Sequence, residues 1–506
     1  MPLPYGRLWD FPQLIPRLLR GLWREEGTLR QKAMRGGVWV LASMGLTNTL
    51  GMVRTIILVR LLVPQDFGIM SIAGFMLAAV AAFTQTGMAT AIVQRKHVDQ
   101  TTLNAAWIIQ ILRSLLVFLV VFLLAPWAAR FYENPAICPI LRLVSLTLLF
   151  AGFSNIGLSL LTKELQFRRL ALFSVSIEAV SFVFTVAVAL WLRSVWAIAI
   201  GWVGNSFAYL VGSYIVHPYR PRFATHWREG KQLLSFGVNL TGKGILGFLG
   251  SQGDSAVVGK VVGMAGLGLY SLANRLSNLP SDCIAQVLAD VALPAYAKLQ
   301  DDAERLGNAF AVGMRAVIVL AVPASVGLFV LAPDLVQVIY GDRYMPMVTC
   351  FRVLAISNLL RCVAGIVGPV FLGVGQPGVS LFFQFIRFAT FAVAIYPCTK
   401  AWGITGAAVA MVLSMVTSTT WALWRVRSVV GSGALAQCGR DFAYVVGVVS
   451  IMAIAVLSVH VTGFSRSPFG LLATVACGFV VYAGAVLLLW PGMGKDARAW
   501  ASEAMR

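Results

Sequence analysis

Six basic side chains stand inside apolar runs where a lipid interior would exclude them. Arg54, Arg113, Lys243, Arg275, Arg361 and Arg387 are these six, and Glu178 is the one acid that reads as comparably central. A charge at mid-bilayer costs roughly 2.5–3.5 kcal/mol on insertion scales, so such residues normally face a wet cavity or a partner. Guanidinium groups present a planar fork of donors that meets phosphate or carboxylate in charge-assisted, often bidentate hydrogen bonds. The set therefore points to an anion, since an exporter of organic cations should present carboxylates instead. Lys243, Arg275, Arg361 and Arg387 fall in the second half of the chain, which places the expected headgroup there. Asn274, Ser277 and Asn278 flank Arg275, and Ser357 and Asn358 flank Arg361, widening the polar surface. A different reading stays open where span ends shift by a few residues, because Arg54, Arg113 or Arg387 could then snorkel to an interface. Glu178 is read either as an internal ion-pair partner or as a proton-coupling group. Asp254 and Asp290, nearer span ends, read as structural or interfacial.

No covalent chemistry is legible, and neither a cofactor nor a metal is expected. The seven cysteines are odd in number and show no CxxC spacing. The histidines His97, His217, His226 and His460 are too dispersed for a ligand set, and no HExxH, GxSxG or GxxxxGKS string occurs. The glycines of GVGQPG at 373–378 lie between two apolar spans with no strand before them, so they serve a turn and not a nucleotide.

What positions these residues is a membrane. The 506 residues are 58% apolar and 12% charged, with mean hydropathy +0.81, far from the composition of soluble domains. Apolar runs near 36–62, 67–93, 103–126, 136–160, 170–192, 195–217, 232–252, 264–297, 307–332, 346–371, 377–397, 403–425, 442–463 and 468–490 give about fourteen spanning helices. The formal charge of +20 is scattered between these runs, which argues against nucleic acid as a partner. With the N-terminus cytoplasmic, the tails and inner connections hold more than half of the 40 Lys and Arg. That excess follows the positive-inside rule and places both termini in the cytoplasm. Residues 11–35 mix Leu, Ile and Trp with Arg in the manner of an interfacial amphipathic helix. The basic clusters Lys163, Arg168, Arg169 and Arg220, Arg222, Arg228, Lys231 either bind anionic lipid and assembly partners or simply fix topology.

A repeat organises the spans. Segments 36–73 and 236–273 align without a gap, so that Gly37, Val38, Leu46, Gly68, Ser71 and Ala73 recur as Gly237, Val238, Leu246, Gly268, Ser271 and Ala273, and Arg60 is matched by Lys260. An even number of helices separates the copies, so the expected axis runs along the membrane normal. The expected architecture is an all-α integral membrane protein with two six-helix lobes, 36–217 and 232–425, related by a pseudo-two-fold. Around them lie a basic N-terminal segment 1–35, an inter-lobe loop 218–231, two extra helices over 426–490 and a tail 491–506.

The strings LVPQDFG at 62–68, GLGLYSLANRL at 266–276, LPAYAKLQDD at 293–302, LAPDLVQVIYGDRY at 331–344 and LGVGQP at 372–377 resemble the Wzx-type polysaccharide flippases. That family belongs to the superfamily that also holds lipid II flippases and multidrug and toxin extruders. The resemblance covers roughly residues 30 to 430. It implies two lobes that alternate access to a central cavity, and an undecaprenyl-diphosphate-linked oligosaccharide as substrate in a bacterial inner membrane. Lipid II flippases are known for cavity arginines, which Arg275 and Arg54 most resemble in position. A polysaccharide polymerase or other assembly protein is the partner this implies. Two rival readings remain: a cation-coupled small-molecule antiporter, which the scarcity of central acids disfavours, and an embedded polymerase or ligase, which the short outer connections disfavour.

Overall fold

Glycine and proline punctuate long apolar runs here, and the elements follow that punctuation. The computed structural model describes residues 29–84, 92, 98–222, 248, 250, 252–461 and 464–489. Everything regular among them is helical. The expected N-terminal amphipathic segment, most of span 232–252, the loop beyond Arg222 and the tail lie outside the described residues. Among the described residues, nine helices are long and apolar enough to cross a membrane.

Three observed helices differ instructively from the expected spans. The run predicted at 136–160 divides into Ile137–Phe153 and Leu158–Lys163. Asn155 causes the break, because its side-chain oxygen accepts from the Gly157 N–H at 2.9 Å and its own N–H donates to Ser213 Oγ at 2.9 Å, local bonds that compete with the helical ladder. The helix Met264–Lys298 is continuous but is not among the nine apolar ones, because Asn274, Arg275, Asn278 and Asp282 interrupt its hydropathy. Finally, Pro377–Val461 runs as one element, yet its backbone leaves helical geometry at Trp402 and Gly403 and again at Gly431. Gly403 and Gly431 have φ of +57° and +80°, conformations that cost a side chain energy and cost glycine little.

The chain forms two compact units. The first comprises Met1–Leu58, Phe83–Leu124 and Leu141–Gly242. Its helices Phe167–Leu192 and Val195–Val216 pack closely where Gly201 and Gly204 meet Thr185 and Phe184, small residues letting backbones approach in a medium that offers no hydrophobic gain. After Val216 the chain is pinned. Asn155 Nδ2 donates to the His217 and Tyr219 carbonyls, and Tyr219 Oη donates to Asn104 Oδ1 at 2.6 Å.

The second unit comprises Val59–Ala82, Ala125–Ile140 and Lys243–Arg506. Its core centres on Tyr296, Phe310, Ile366, Phe371 and Val445. Two further contacts attach the last helices. Tyr482 Oη donates to the Val319 carbonyl at 2.7 Å, and the buried Asp334 carboxylate lies 2.5 Å from His460 Nδ1 and accepts from Ser465 Oγ at 2.6 Å. Arg315 pairs with Asp441 at 2.8 Å, both largely sheltered.

Within this unit the sequence repeat becomes a contact. A Cβ at Gly68 would collide with the Met264 carbonyl, and one at Gly268 would collide with the Pro64 carbonyl. Positions 64 and 68 thus meet their own repeat counterparts 264 and 268. The matched bases behave alike as well. Arg60 donates to the Val338 carbonyl near the end of Ala332–Ile339. Lys260 donates to the Phe131 carbonyl, which ends Gln100–Phe131, at 2.7 Å and to Glu133 at 2.8 Å. Each cation meets the negative end of a helix dipole, and the Lys260 bond holds the Glu133 carboxyl below its usual range.

Two expectations follow. Gly68→Leu or Gly268→Leu should lower stability by at least about 3 kcal/mol through backbone overlap, measured as thermal unfolding in detergent. Gly447→Ala, whose Cβ would meet nothing within 4 Å, should stay within about 0.5 kcal/mol of wild type. The second concerns His217, whose Nδ1 accepts from the Tyr219 N–H at 3.1 Å and so must be neutral there. Burial, opposed by Glu164 and assisted by Arg169 and Arg220, holds this imidazole below its ordinary value of 6.5. A folded pKa below the unfolded one means the contact is fully present above about pH 6.5 and erodes as pH falls below that value. The protection factor of the Tyr219 amide, its exchange relative to the intrinsic rate at each pH, should therefore fall on acidification, and His217→Gln should flatten that dependence.

Candidate functional site

Arg361 lies midway along Val348–Gly373, Arg387 lies in the first segment of Pro377–Val461, and Asp282 lies on Met264–Lys298. The spacing of Asn278 and Asp282 puts both on one face of their helix, and Arg361 bridges them. Its guanidinium donates to Asn278 Oδ1 at 3.0 Å and lies 3.1 Å from Asp282 Oδ1. Asn278 in turn donates to Asn274 at 3.1 Å, and Ser281 Oγ donates to Asn358 Oδ1 at 3.0 Å. The polar residues flanking Arg275 and Arg361 in sequence are therefore one network.

Arg361, Asp282 and Arg387 line a single cavity of about 430 Å³ in the second unit. Its walls include Ser281, Ser380 and Gln384 beside Gly365, Gly368 and Pro369. Proline lacks an N–H, so Pro369 deprives the Gly365 carbonyl of its intrahelical donor on a residue that lines the space. The cavity's cations differ in their bonding. Arg361 is half-exposed, at 45%, and already paired with a half-exposed carboxylate. Arg387 Nε is buried and has no hydrogen-bond partner among the described residues. A buried donor left unmade costs free energy, and here that cost falls on a residue that lines the cavity.

The other expected site residues fall elsewhere. Arg54 lies 3.1 Å from Glu178 and 3.1 Å from Ser181 Oγ, in the first unit, with both ionic side chains less than one-fifth exposed. Arg113 donates to Thr84 Oγ1 at 3.3 Å in the same unit. Arg275 is exposed on Met264–Lys298 and acts electrostatically on Tyr340. Lys243 lies outside the described residues.

Reading the sequence for central acids missed Asp282, because attention to apolar runs stopped at Glu178. The helical spacing of Arg275, Asn278 and Asp282 carried the signal. Asp254, expected to be structural or interfacial, is 2% exposed and accepts from Tyr270 Oη at 2.8 Å and from the Ser255 N–H at 2.7 Å, which is a structural role.

Among the described residues there are long apolar helices, a cavity between them and no strand, the build of a polytopic membrane protein. The fold is that of lipid II flippases and multidrug extruders. A lipid II flippase in an inward closed conformation superposes with TM-score 0.69 over 90% of this chain and 99% of that one, at 13% identity. An inward-facing multidrug resistance transporter superposes with TM-score 0.58 over 76% of this chain and 96% of that one, at 15% identity. Residues 57–349 match the polysaccharide biosynthesis protein family, and the chain belongs to that family. The lipopolysaccharide biosynthesis protein WzxC of Escherichia coli K12 is 25% identical over 395 residues, covering 78% of this chain and 80% of that one. The succinoglycan biosynthesis transport protein ExoT of Rhizobium meliloti is 26% identical over 349 residues, covering 69% and 71%. The resemblance noted in the turns and helix ends is thus the family relationship itself.

The two kinds of cation make opposite predictions for stability. Arg54→Met leaves the sheltered Glu178 unpaired and should cost on the order of 2 kcal/mol, most of which Glu178→Gln in the same chain should restore. Among the described residues Arg387 Nε has no partner, and Arg387→Met should not lower the unfolding temperature. Both comparisons are read by thermal unfolding of the purified protein.

Proposed function

We propose that this chain is a flippase that moves undecaprenyl-diphosphate-linked oligosaccharide units across a bacterial inner membrane for exopolysaccharide, capsule or lipopolysaccharide synthesis. One observation carries the reading: two arginines, one of them with a buried Nε that has no partner among the described residues, line the same cavity among apolar helices. A diphosphate with about two negative charges is the ligand that such a pair meets best, through charge-assisted hydrogen bonds that are strongest away from water. The family membership and the names of the relatives support a substrate of this class. In this reading Arg361 and Arg387 hold the diphosphate, while Arg275, Arg54, Arg113 and Lys243 supply the positive field of a cavity that opens alternately to each side. The oligosaccharide needs only passage. Its polyprenyl tail stays in lipid, since burying that chain in protein gains little over leaving it among acyl tails. Lobes 36–217 and 232–425 rock about the pseudo-two-fold, both termini are cytoplasmic, and a polymerase or other assembly protein receives the product.

Asp282 favours a second reading, the export of small organic cations, because it puts a carboxylate into the same cavity. One experiment separates the two. In a strain lacking the gene, the wild-type chain should restore extracellular polysaccharide, whereas Arg361→Ala/Arg387→Ala should leave the complete lipid-linked unit accumulated in the inner leaflet at unchanged protein level. Full polymer production by the double variant would refute the anion site. Normal polymer in the deletion strain, with altered tolerance to cationic compounds, would favour the antiporter.

A further inference from the structure

The cavity has a division of labour that goes beyond anion binding. Its cations, Arg361 and Arg387, are joined by a set of acceptors: the Asp282 carboxylate, the Gln384 amide, the Ser281 and Ser380 hydroxyls, and the Gly365 residue whose carbonyl lacks its helical donor. A site for a diphosphate alone has no use for a carboxylate, which repels the ligand. A site for a diphosphate joined to a sugar does.

Resting on the flippase reading, we infer that this cavity holds the junction between the diphosphate and its first sugar, and that Asp282 selects a neutral sugar at that position. Among the described residues Asp282 pairs with Arg361, at 3.1 Å, and is 54% exposed. A diphosphate arriving at Arg361 competes for the same donors and frees the carboxylate beside it. The freed carboxylate accepts from sugar hydroxyls, and bonds to an ionised acceptor are about twice as strong as neutral ones. An acidic sugar placed there sets one carboxylate against another, the repulsive element that turns binding into selectivity.

Beside these acceptors the lining leaves room for a ring. Gly368 carries no side chain, and a Cβ built on it would meet nothing within 4 Å. Phe383, Leu372 and Met415 supply apolar surface beside it, suited to the C–H face of a pyranose. A half-exposed ion pair adds little to stability, so Asp282 can be changed without endangering the fold.

The full chain in nanodiscs, titrated with farnesyl diphosphate, farnesyl-diphosphoglucose and farnesyl-diphosphoglucuronic acid and followed by calorimetry, tests this. Wild type should bind the glucose probe about tenfold more tightly than the glucuronic acid probe. Asp282→Asn should shrink that ratio to less than about threefold and should strengthen binding of farnesyl diphosphate itself, whereas Asp282→Glu should keep the preference. Gly368→Leu, which fills the wall from open space, should weaken both sugar probes and leave farnesyl diphosphate unaffected. Equal binding of the two sugar probes by wild type, or an unchanged ratio in Asp282→Asn, overturns the inference and leaves the anion site standing. Failure of all three probes to bind overturns the anion site and this inference together.

Discussion

Lipid cannot solvate a charge, and that constraint orders the polar structure of this protein. Each ionic group in a spanning helix must find its partner within the chain or within a wet cavity. Arg315 finds Asp441 and Arg54 finds Glu178, both pairs well sheltered. Asp254 finds a tyrosine hydroxyl and a backbone N–H instead of a cation. Arg361 and Asp282 pair in a half-exposed setting, and among the described residues one Arg387 donor has no partner. The degree of satisfaction therefore falls from the packed core toward the cavity. Structure and function divide along that gradient, because a fully paired charge holds helices together while an incompletely paired one is available to a ligand.

Breaks in the helices serve the same economy. A helix satisfies its own backbone, so any interruption at membrane depth must be compensated or must face a cavity. Pro369 deprives the carbonyl of Gly365, a residue of the cavity wall, of its helical donor. Gly403 and Gly431 turn the backbone where a side chain would resist positive φ. Asn155 ends a helix by offering its side chain to the next N–H, and the same residue then pins the chain after Val216. Polar function and polypeptide direction are set by the same few positions.

Much of this was legible in the sequence, and the limits have physical reasons. Hydropathy locates the helices because lipid imposes a length and a composition on each. It places Met264–Lys298 correctly and yet conceals that helix's polar face, since averaging over a window erases the spacing of Arg275, Asn278 and Asp282. The shared cavity of Arg361 and Arg387 lies on two helices whose approach no linear pattern encodes, although their residue types suggested a common anion. Arg113 beside Thr84 illustrates the converse, a central base whose neighbour comes from a different helix and is invisible to periodicity. The repeat was readable as identities such as Gly68 and Gly268. That each glycine packs against the carbonyl four residues before the other was not, because identity at an offset says nothing of contact.

The reciprocal crossing at Pro64–Gly68 and Met264–Gly268 has the self-complementarity of an isologous interface, in which residue i meets j and j meets i. Such a surface is what two identical subunits would share across a two-fold axis. Here it lies within one chain, with glycine at both points of closest approach. The matched cations eight residues before them, Arg60 and Lys260, each cap a carbonyl near a helix end. Asp282, Arg361 and Arg387 line a cavity whose walls do not include this crossing, so the closest backbone approach and the polar cavity are built from different residues.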